Sequence, residues 1–468
     1  MECYGFLLLS LLLLICLHIF LNLKRWIFVK RKLPPGPTGI PIVGNLITMG
    51  HSPHKSLAKM AKIHGPLMTI QLGFNTTVVA SSVEMARELL IKNDQAFLGR
   101  PIPQAVTAQE DYQDAMAWLS GGPKWRSLRK LCNTQIFTTQ RLEALQDFRR
   151  QMMEGMIMRV TEASEAGESI NIGRLVFGTS LNLLSNNMFS VDIIDPKSNV
   201  IKELKELIGR IMVLAGKPNL TDCFPFLRPF DPQGIKKETK VSYDRLHSMI
   251  DMIIDKRLSR RASGLPGYGD FLDILLDNSQ EHGSRELSRS DIKTLLTQEL
   301  AETIGQGQSM EEKYISKLPY LQAVLKETLR LHPAAPLLLP HQAQMDVEVC
   351  GYNIPKGTQV FVNSWAISRD PMYWPDRPTE FVPERFLVSN VEFRGTDLSY
   401  TPFGAGRRIC PGLSLAVRML SMSLGSLVHR FDWKLPNGME PEDIDMDDKF
   451  GITLQKAIPL IAIPVAVS

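Results

Sequence analysis

Hydrophobic and polar positions divide this 468-residue chain into regimes with different periods. The first is an almost unbroken apolar run from Gly5 to Leu23, interrupted only by Ser10, His18 and Asn22. Its length, about 19 residues, is close to the roughly 20 that cross a bilayer as a helix. Lys24, Arg25, Lys30, Arg31 and Lys32 follow, and the positive-inside rule puts that flank and the body after it in the cytosol. A cleaved leader fits poorly, because the basic residues follow the run and no small-x-small site ends it. Leu33-Pro34-Pro35-Gly36-Pro37 then stops any helix, since proline fixes φ and lacks a donor. These patterns predict a transmembrane anchor over 1–23, a basic, proline-rich hinge over 24–37 and a single large body over 38–468.

Within the body, Met68-Thr69-Ile70-Gln71-Leu72 and Thr77-Val78-Val79-Ala80 read as paired strands separated by Gly73-Phe74-Asn75. From about 125 to 330 the pattern is mostly helical, with amphipathic stretches such as 243–258. Val347-Glu348-Val349 and Gln359-Val360-Phe361-Val362 read as short strands around a Pro355-Lys356-Gly357 turn, and the tail over 448–468 is strand-like again. Near the C-terminus, Leu413, Val417, Leu420, Leu424, Leu427 and Phe431 recur in steps of three and four, the buried face of a helix. The fold class is therefore mainly α with a small β region.

Composition narrows the function classes. The chain is 44% hydrophobic with a formal net charge of +4, an ordinary globular balance. No basic stripe interleaved with aromatics is present, which argues against nucleic acid as a partner. Six cysteines are scattered at 3, 16, 132, 223, 350 and 410 without a C-x-x-C pair, so neither a disulfide framework nor a structural zinc site is indicated. His51 and His54 read as members of a solvated, proline-containing loop.

The most telling stretch is Phe403-Gly404-Ala405-Gly406-Arg407-Arg408-Ile409-Cys410-Pro411-Gly412, just ahead of that last helix. Thiolate is the metal-ligating form of cysteine, and nearby cations and a helix N-terminus favour it. Arg407 and Arg408 supply the cations. Gly404, Gly406 and Gly412 let backbone approach a large flat cofactor, and Phe403 can shield the sulfur from water. A buried structural cysteine in a glycine-rich turn is the plainer alternative. The complete spacing Phe-x-x-Gly-x-Arg-x-Cys-x-Gly resembles the cytochrome P-450 superfamily of haem-thiolate monooxygenases.

That resemblance covers essentially the whole chain. It implies haem b as cofactor with Cys410 as the axial iron ligand, and Phe403, Gly406, Arg408 and Gly412 around it. It implies haem-propionate contacts from Trp125, Arg126 and His341. It implies a buried network of Glu327 and Arg330 with Arg385 of Pro383-Glu384-Arg385-Phe386, which holds the cysteine loop and takes no part in the chemistry. The implied partners are a NADPH-dependent flavoprotein reductase, membrane lipid and a small apolar substrate, with the body on the cytosolic face of the endoplasmic reticulum. The substrate pocket would draw on residues 101–120, 206–225, 334–339 and 450–455. Asn75-Thr76-Thr77 and Asn219-Leu220-Thr221, facing the cytosol, would stay unglycosylated. Trp365-Ala366-Ile367-Ser368-Arg369-Asp370-Pro371 looks like plant microsomal members. Lys217-Pro218-Asn219-Leu220-Thr221-Asp222 and Phe230-Asp231-Pro232-Gln233-Gly234 look like the clade that hydroxylates terpenoids, including geraniol-type alcohols.

One family element is absent. A long distal helix normally carries Ala/Gly-Gly-x-Asp/Glu-Thr, whose acid and threonine hydroxyl deliver protons, a general-acid role. Here Asp291-Ile292-Lys293-Thr294-Leu295-Leu296, which looks like the start of that helix, runs directly into Thr297-Gln298-Glu299-Leu300-Ala301-Glu302-Thr303-Ile304-Gly305, which looks like the end of the next. Family motif spacing would put roughly 40 more residues between them. The joined segment is itself a plausible helix, with Ser290 as N-cap and Gly305 at its end. Two alternatives to monooxygenation follow: a catalytically impaired haem-binding relative, and haem-thiolate chemistry that needs no dioxygen.

Overall fold

The computed structural model describes residues 32–109, 112–189, 199–268, 270, 272, 273, 276 and 312–466. The expected anchor at 1–23 and the joined segment around Leu296 and Thr297 lie outside them. Among the described residues no helix is long and apolar enough to cross a membrane. The described residues form two compact units, one of those up to 101 with 337–367 and one of those from 102 to 336 with those from 368 on.

The first unit is built on a four-stranded sheet. Helix α1 (Pro53–His64) opens with proline at its first position, where the missing N–H costs nothing, and ends at Gly65 with φ +99°. Strands β1 (Leu67–Leu72) and β2 (Asn75–Ala80) pair antiparallel from Leu67↔Ala80 to Leu72↔Asn75. Their turn is the two residues Gly73-Phe74, one shorter than the pattern predicts, because Asn75 already pairs. Along the chain follow β3 (His341–Gln342), β4 (Val347–Val349), β5 (Tyr352–Ile354) and β6 (Gln359–Val362). The sheet order is β1-β2-β6-β3, with β2 and β6 parallel. The expected Pro355-Lys356-Gly357 turn leads from β5 into β6, the Thr358 amide donating to the Pro355 carbonyl at 3.1 Å, while β4 turns back at Cys350-Gly351 to pair with β5. Both turn residues have positive φ, +52° and +80°, as a tight two-residue hairpin requires.

Two sequence expectations change in this unit. His54 is not in a solvated loop. It is fully buried on α1, its ring edge-on to Trp365 with centroids 5.3 Å apart. The described end of the proline-rich hinge is docked on the sheet. Pro34 is buried, the Thr69 amide donates to the Pro35 carbonyl at 2.8 Å, and a Cβ on Gly36 would lie 1.8 Å from the Thr69 carbonyl oxygen.

The second unit is helical. Its main helices are α2 (Pro123–Leu131), α3 (Gln146–Ala166), α4 (Ile172–Phe189), α5 (Asn199–Gly216), α6 (Ile235–Ala262), α7 (Pro319–Leu331) and α8 (Leu413–Arg430). Helix α3 ends in a left-handed Gly167, with the Glu168 amide reaching back to Ala163 at 2.9 Å. Helix α6 runs well past both ends of the 243–258 stretch. Strand β7 (Phe431–Lys434) pairs with β8 (Ile461–Ala466), which also pairs with the short strand Ile170–Asn171, so the strand-like tail closes back on the helices. Met153, Met156, Ile157 and Val160 of α3 pack with Val176, Leu427 and Phe431 as one core.

Helix α8 keeps its expected face at its C-terminal end, where Leu427 and Phe431 are buried, and departs from it earlier. Leu413, Val417, Leu420 and Leu424 are half-buried, whereas Leu415, Met419, Ser421, Met422, Ser423, Gly425, Ser426 and Leu427 are buried. Serine can sit there because its hydroxyl bonds within its own helix: Ser421 donates to the Val417 carbonyl at 2.8 Å and Ser423 to that of Met419 at 2.9 Å.

Candidate functional site

Cys410 lies half-buried at the end of a glycine loop, three residues before α8 begins. Gly404 (φ +75°) and Gly406 (φ +64°) take left-handed conformations that other residues adopt only under strain. That turn brings the Cys410 amide back to donate to the Phe403 carbonyl at 3.0 Å. Gly412 is buried, and a Cβ on it would lie 3.6 Å from the Phe137 ring and 4.0 Å from the Cys410 sulfur. The loop therefore offers a soft donor ahead of a helix N-terminus, on backbone kept free of side chains.

Arg408 and Trp125 meet beside the loop. The Trp125 ring is buried, and the Arg408 guanidinium stacks over it at 4.4 Å from the centroid. Arg408 also donates to the carbonyls of Met116, at 3.4 Å, and Leu119. Burial, and then repulsion from Arg129, push its pKa down to about 10. A carboxylate such as a haem propionate is the kind of anion that favours a cation held in this way. The donor set and this cation thus fit a haem.

Arg126 is placed differently from expectation. It is exposed on α2, one residue on from Trp125 and so about a quarter-turn away. Arg129, four residues on, shares the Trp125 face and is the cation that Arg408 feels. The i,i+4 spacing from Trp125 was the sequence signal for it. His341 stands in the first unit, buried on β3, with Nδ1 donating to the Phe97 carbonyl at 2.8 Å. Beside it, Arg100 donates to the Pro340 carbonyl at 2.8 Å.

The expected charge network is assembled in full. Glu327 and Arg330 are both 0% exposed and pair bidentately, Nε to Oε2 at 2.6 Å and Nη2 to Oε1 at 2.8 Å. Arg385 Nε adds a bond to Glu327 Oε1 at 3.2 Å, and the Val382 amide another at 2.8 Å. Arg330 spends its remaining donors on the carbonyls of Ser368, Pro378 and Glu380. Burial works against ionised Glu327, but the bonds from Arg330 and Val382 and the charges of Arg330 and Arg385 outweigh it and hold the pKa below the usual carboxylate range. The network reaches the loop through rings. Arg330 lies over Trp374 at 5.0 Å, Trp374 and Phe386 pack on Tyr400, Tyr400 on Phe393, and Phe393 edge-on to Phe403 at 6.2 Å.

Parts of the segments expected to line a pocket, those within the second unit, touch one another. The Gln104 amide donates to Asp222 at 2.6 Å, Ala105 packs with Leu214 and Ile235, and the Leu454 amide donates to Ala334 at 2.7 Å. Gly216 ends α5 so close to the 451–453 turn that a Cβ would lie 2.2 Å from the Ile452 nitrogen. Cys223 is no second thiolate: burial, and then the Asp222 charge, push its thiol up to about 11.

Comparison with known proteins agrees with this geometry. The cytochrome P-450 family model matches residues 34–298 and 291–460. Geraniol 8-hydroxylase of Swertia mussotii is 46% identical, covering 93% of this chain and 94% of that protein. Geraniol 8-hydroxylase of Catharanthus roseus is also 46% identical, over 93% and 94%. Drimenol monooxygenase of Persicaria hydropiper is 41% identical, over 94% and 93%. The two stretches of the family match meet at 291–298, where the sequence predicts a join. The 467 positions aligned with the Swertia protein hold 93% of a 468-residue chain, about 435 residues, so about thirty positions face nothing here. With the family pattern spanning it from residue 34 to 460 and nearly half its positions shared with such relatives, the chain belongs to the cytochrome P-450 family of haem-dependent monooxygenases.

Proposed function

We propose that this chain is a membrane-anchored terpenoid hydroxylase of that family. It would hold haem b through Cys410 and insert one oxygen atom from dioxygen into a small apolar alcohol of the geraniol type. The observation that carries the substrate class is the 46% identity to two geraniol 8-hydroxylases over 93% of the chain. Bound at Cys410, haem supplies dioxygen chemistry, and a thiolate axial ligand favours O–O cleavage. The chain's own residues do the rest. Arg408, stacked on Trp125, and Arg129 would neutralise propionates. Phe403 keeps water from the sulfur. Residues 102–120, 206–225, 334–336 and 450–455 would enclose the substrate. The apolar run at 5–23 would anchor the body to the cytosolic face of the endoplasmic reticulum.

A second reading is favoured by the break in the family match at 291–298: a chain that keeps haem but has lost its distal proton delivery. One preparation separates the two. Full-length chain in lipid, reduced under carbon monoxide, should give a thiolate-type Soret band on either reading. With NADPH, reductase and geraniol, only the first yields hydroxylated product. Absence of the band would overturn both.

Electrons would enter on the basic face around the loop. Arg126 and Lys130 of α2 and Arg407 are exposed. A Lys130→Glu variant should bind the reductase about two- to fivefold more weakly at low salt, with an unchanged carbon-monoxide spectrum. The difference should fade near 1 M salt, where the Debye length is about 3 Å. Titration of flavoprotein-dependent haem reduction reads it, and equal affinities at low salt would move the docking face elsewhere.

A further inference from the structure

A second buried charge cluster lies behind the cysteine helix. Glu312 is 8% exposed and opens the 3-10 turn Glu312–Lys317, which packs against α8 and α7. Its carboxylate serves two helices, one oxygen each. Arg149 of α3, fully buried, donates Nε to Oε1 and Nη2 to the Leu142 carbonyl at 2.6 Å. Arg418 of α8 donates Nη1 to Oε2 at 2.5 Å. Among the described residues, Arg149 Nη1 has no hydrogen-bond partner. The carboxylate is therefore the anion between two cations. Removing it leaves one guanidinium with no solvent access and another, on α8, only 27% exposed.

The placement gives this cluster its meaning. Arg418 sits five residues into α8, about 7.5 Å along the axis from Leu413. Helix α8 cannot slide or rotate without carrying Arg418 off Glu312. The Glu327 network grips the cysteine loop ahead of Cys410, through Phe403. Glu312 grips the helix immediately after it. Three-way ionic ties of this kind are weak sources of net stability, because desolvation offsets their attraction. Their strength is geometric, since each bond is directional and the unsatisfied alternative is costly.

We propose that Glu312 is a positioning residue for the Cys410 sulfur, tying α8 to α3 so that the thiolate stays in register with the iron. This rests on Cys410 being the haem ligand. The test compares the full-length chain with Glu312→Gln and Glu312→Asp. Glu312→Gln keeps the shape and loses the charge. Its reduced carbon-monoxide complex should convert from the thiolate-type to the thiol-type band on the order of tenfold faster at pH 7.5, and Glu312→Asp should recover much of the parent's rate. Parent-like rates in both variants would overturn the proposal. Hydrogen exchange of residues 413–422 in haem-free chain is the second arm. Glu312→Gln should speed it several-fold and Glu312→Asp less. Unchanged exchange overturns the tie even if the glutamine variant binds no haem. A parent chain without any thiolate-type band sinks the Cys410 reading instead, and the exchange arm still decides the tie.

Discussion

Replacing Cys410 by serine should remove the thiolate-type band from the reduced carbon-monoxide spectrum, to below about a tenth of the parent signal. Serine keeps the loop's shape and its amide bond to the Phe403 carbonyl, so the backbone should stay folded. What it loses is the soft anion. A hydroxyl has no comparable tendency to ionise beside Arg408, and an alkoxide is a poor partner for ferrous iron. Haem should then bind weakly and exchange readily into apomyoglobin. Survival of the band in Cys410→Ser would mean another ligand. Among the described cysteines, Cys132 is buried against Met116 with the sulfurs 3.8 Å apart, Cys223 has its thiol pushed up to about 11, and Cys350 is exposed in the first unit. None stands, as Cys410 does, on a glycine loop with Arg407 and Arg408 beside it and a helix N-terminus ahead.

Glu327→Gln should be the most damaging change away from that loop. It strips the counter-charge from Arg330, which is fully buried and cannot reach water. Breaking such a pair costs roughly 3–5 kcal/mol, a large share of the 5–15 kcal/mol that holds an ordinary domain together. The damage should travel along Trp374, Tyr400, Phe393 and Phe403 to the cysteine loop. A lowered urea midpoint and early loss of haem would both report it. Arg385→Lys should be milder, because Arg385 is 11% exposed and its bond to Glu327 is the longer one, at 3.2 Å. The pH dependence has a definite sign. Glu327 ionises below its unfolded value, so its contribution is complete above about pH 4.3 and is lost as pH falls through the lower folded pKa. Glu327→Gln should lack that part of the acid limb. An acid unfolding curve parallel to the parent's would contradict this.

How legible these features were depends on how local their causes are. The cysteine loop was readable because its chemistry is compressed into ten adjacent residues. The Glu327–Arg330 pair was readable as a spacing, but its burial was not, since that is decided by Trp374, Phe386 and Tyr400 far along the chain. Arg129 was missed although the i,i+4 rule points to it, because adjacency drew the choice to Arg126. His54 was misread for a different reason. Local polarity around Pro53 suggested a loop, whereas Trp365, some three hundred residues later, supplies the wall that buries it. The serine-lined side of α8 was invisible to a hydrophobic period, since its burial rests on hydroxyls satisfied within the helix. The Glu312 cluster unites residues 149, 312 and 418, and no window of sequence contains them together.

The docking of Pro34 and Pro35 on β1 shortens the molecule's leash. On the proposed anchoring of the apolar run, eleven steps of chain, from Leu23 to Pro34, link the bilayer to the docked prolines. Fully extended, those eleven steps reach at most about 40 Å, and any coil reaches less. On the proposed anchoring, the sheet-bearing unit would stand within that reach of the lipid surface. Lengthening the leash with a few glycines should change how an apolar substrate partitioned into lipid reaches the enzyme, without touching a single residue of the site.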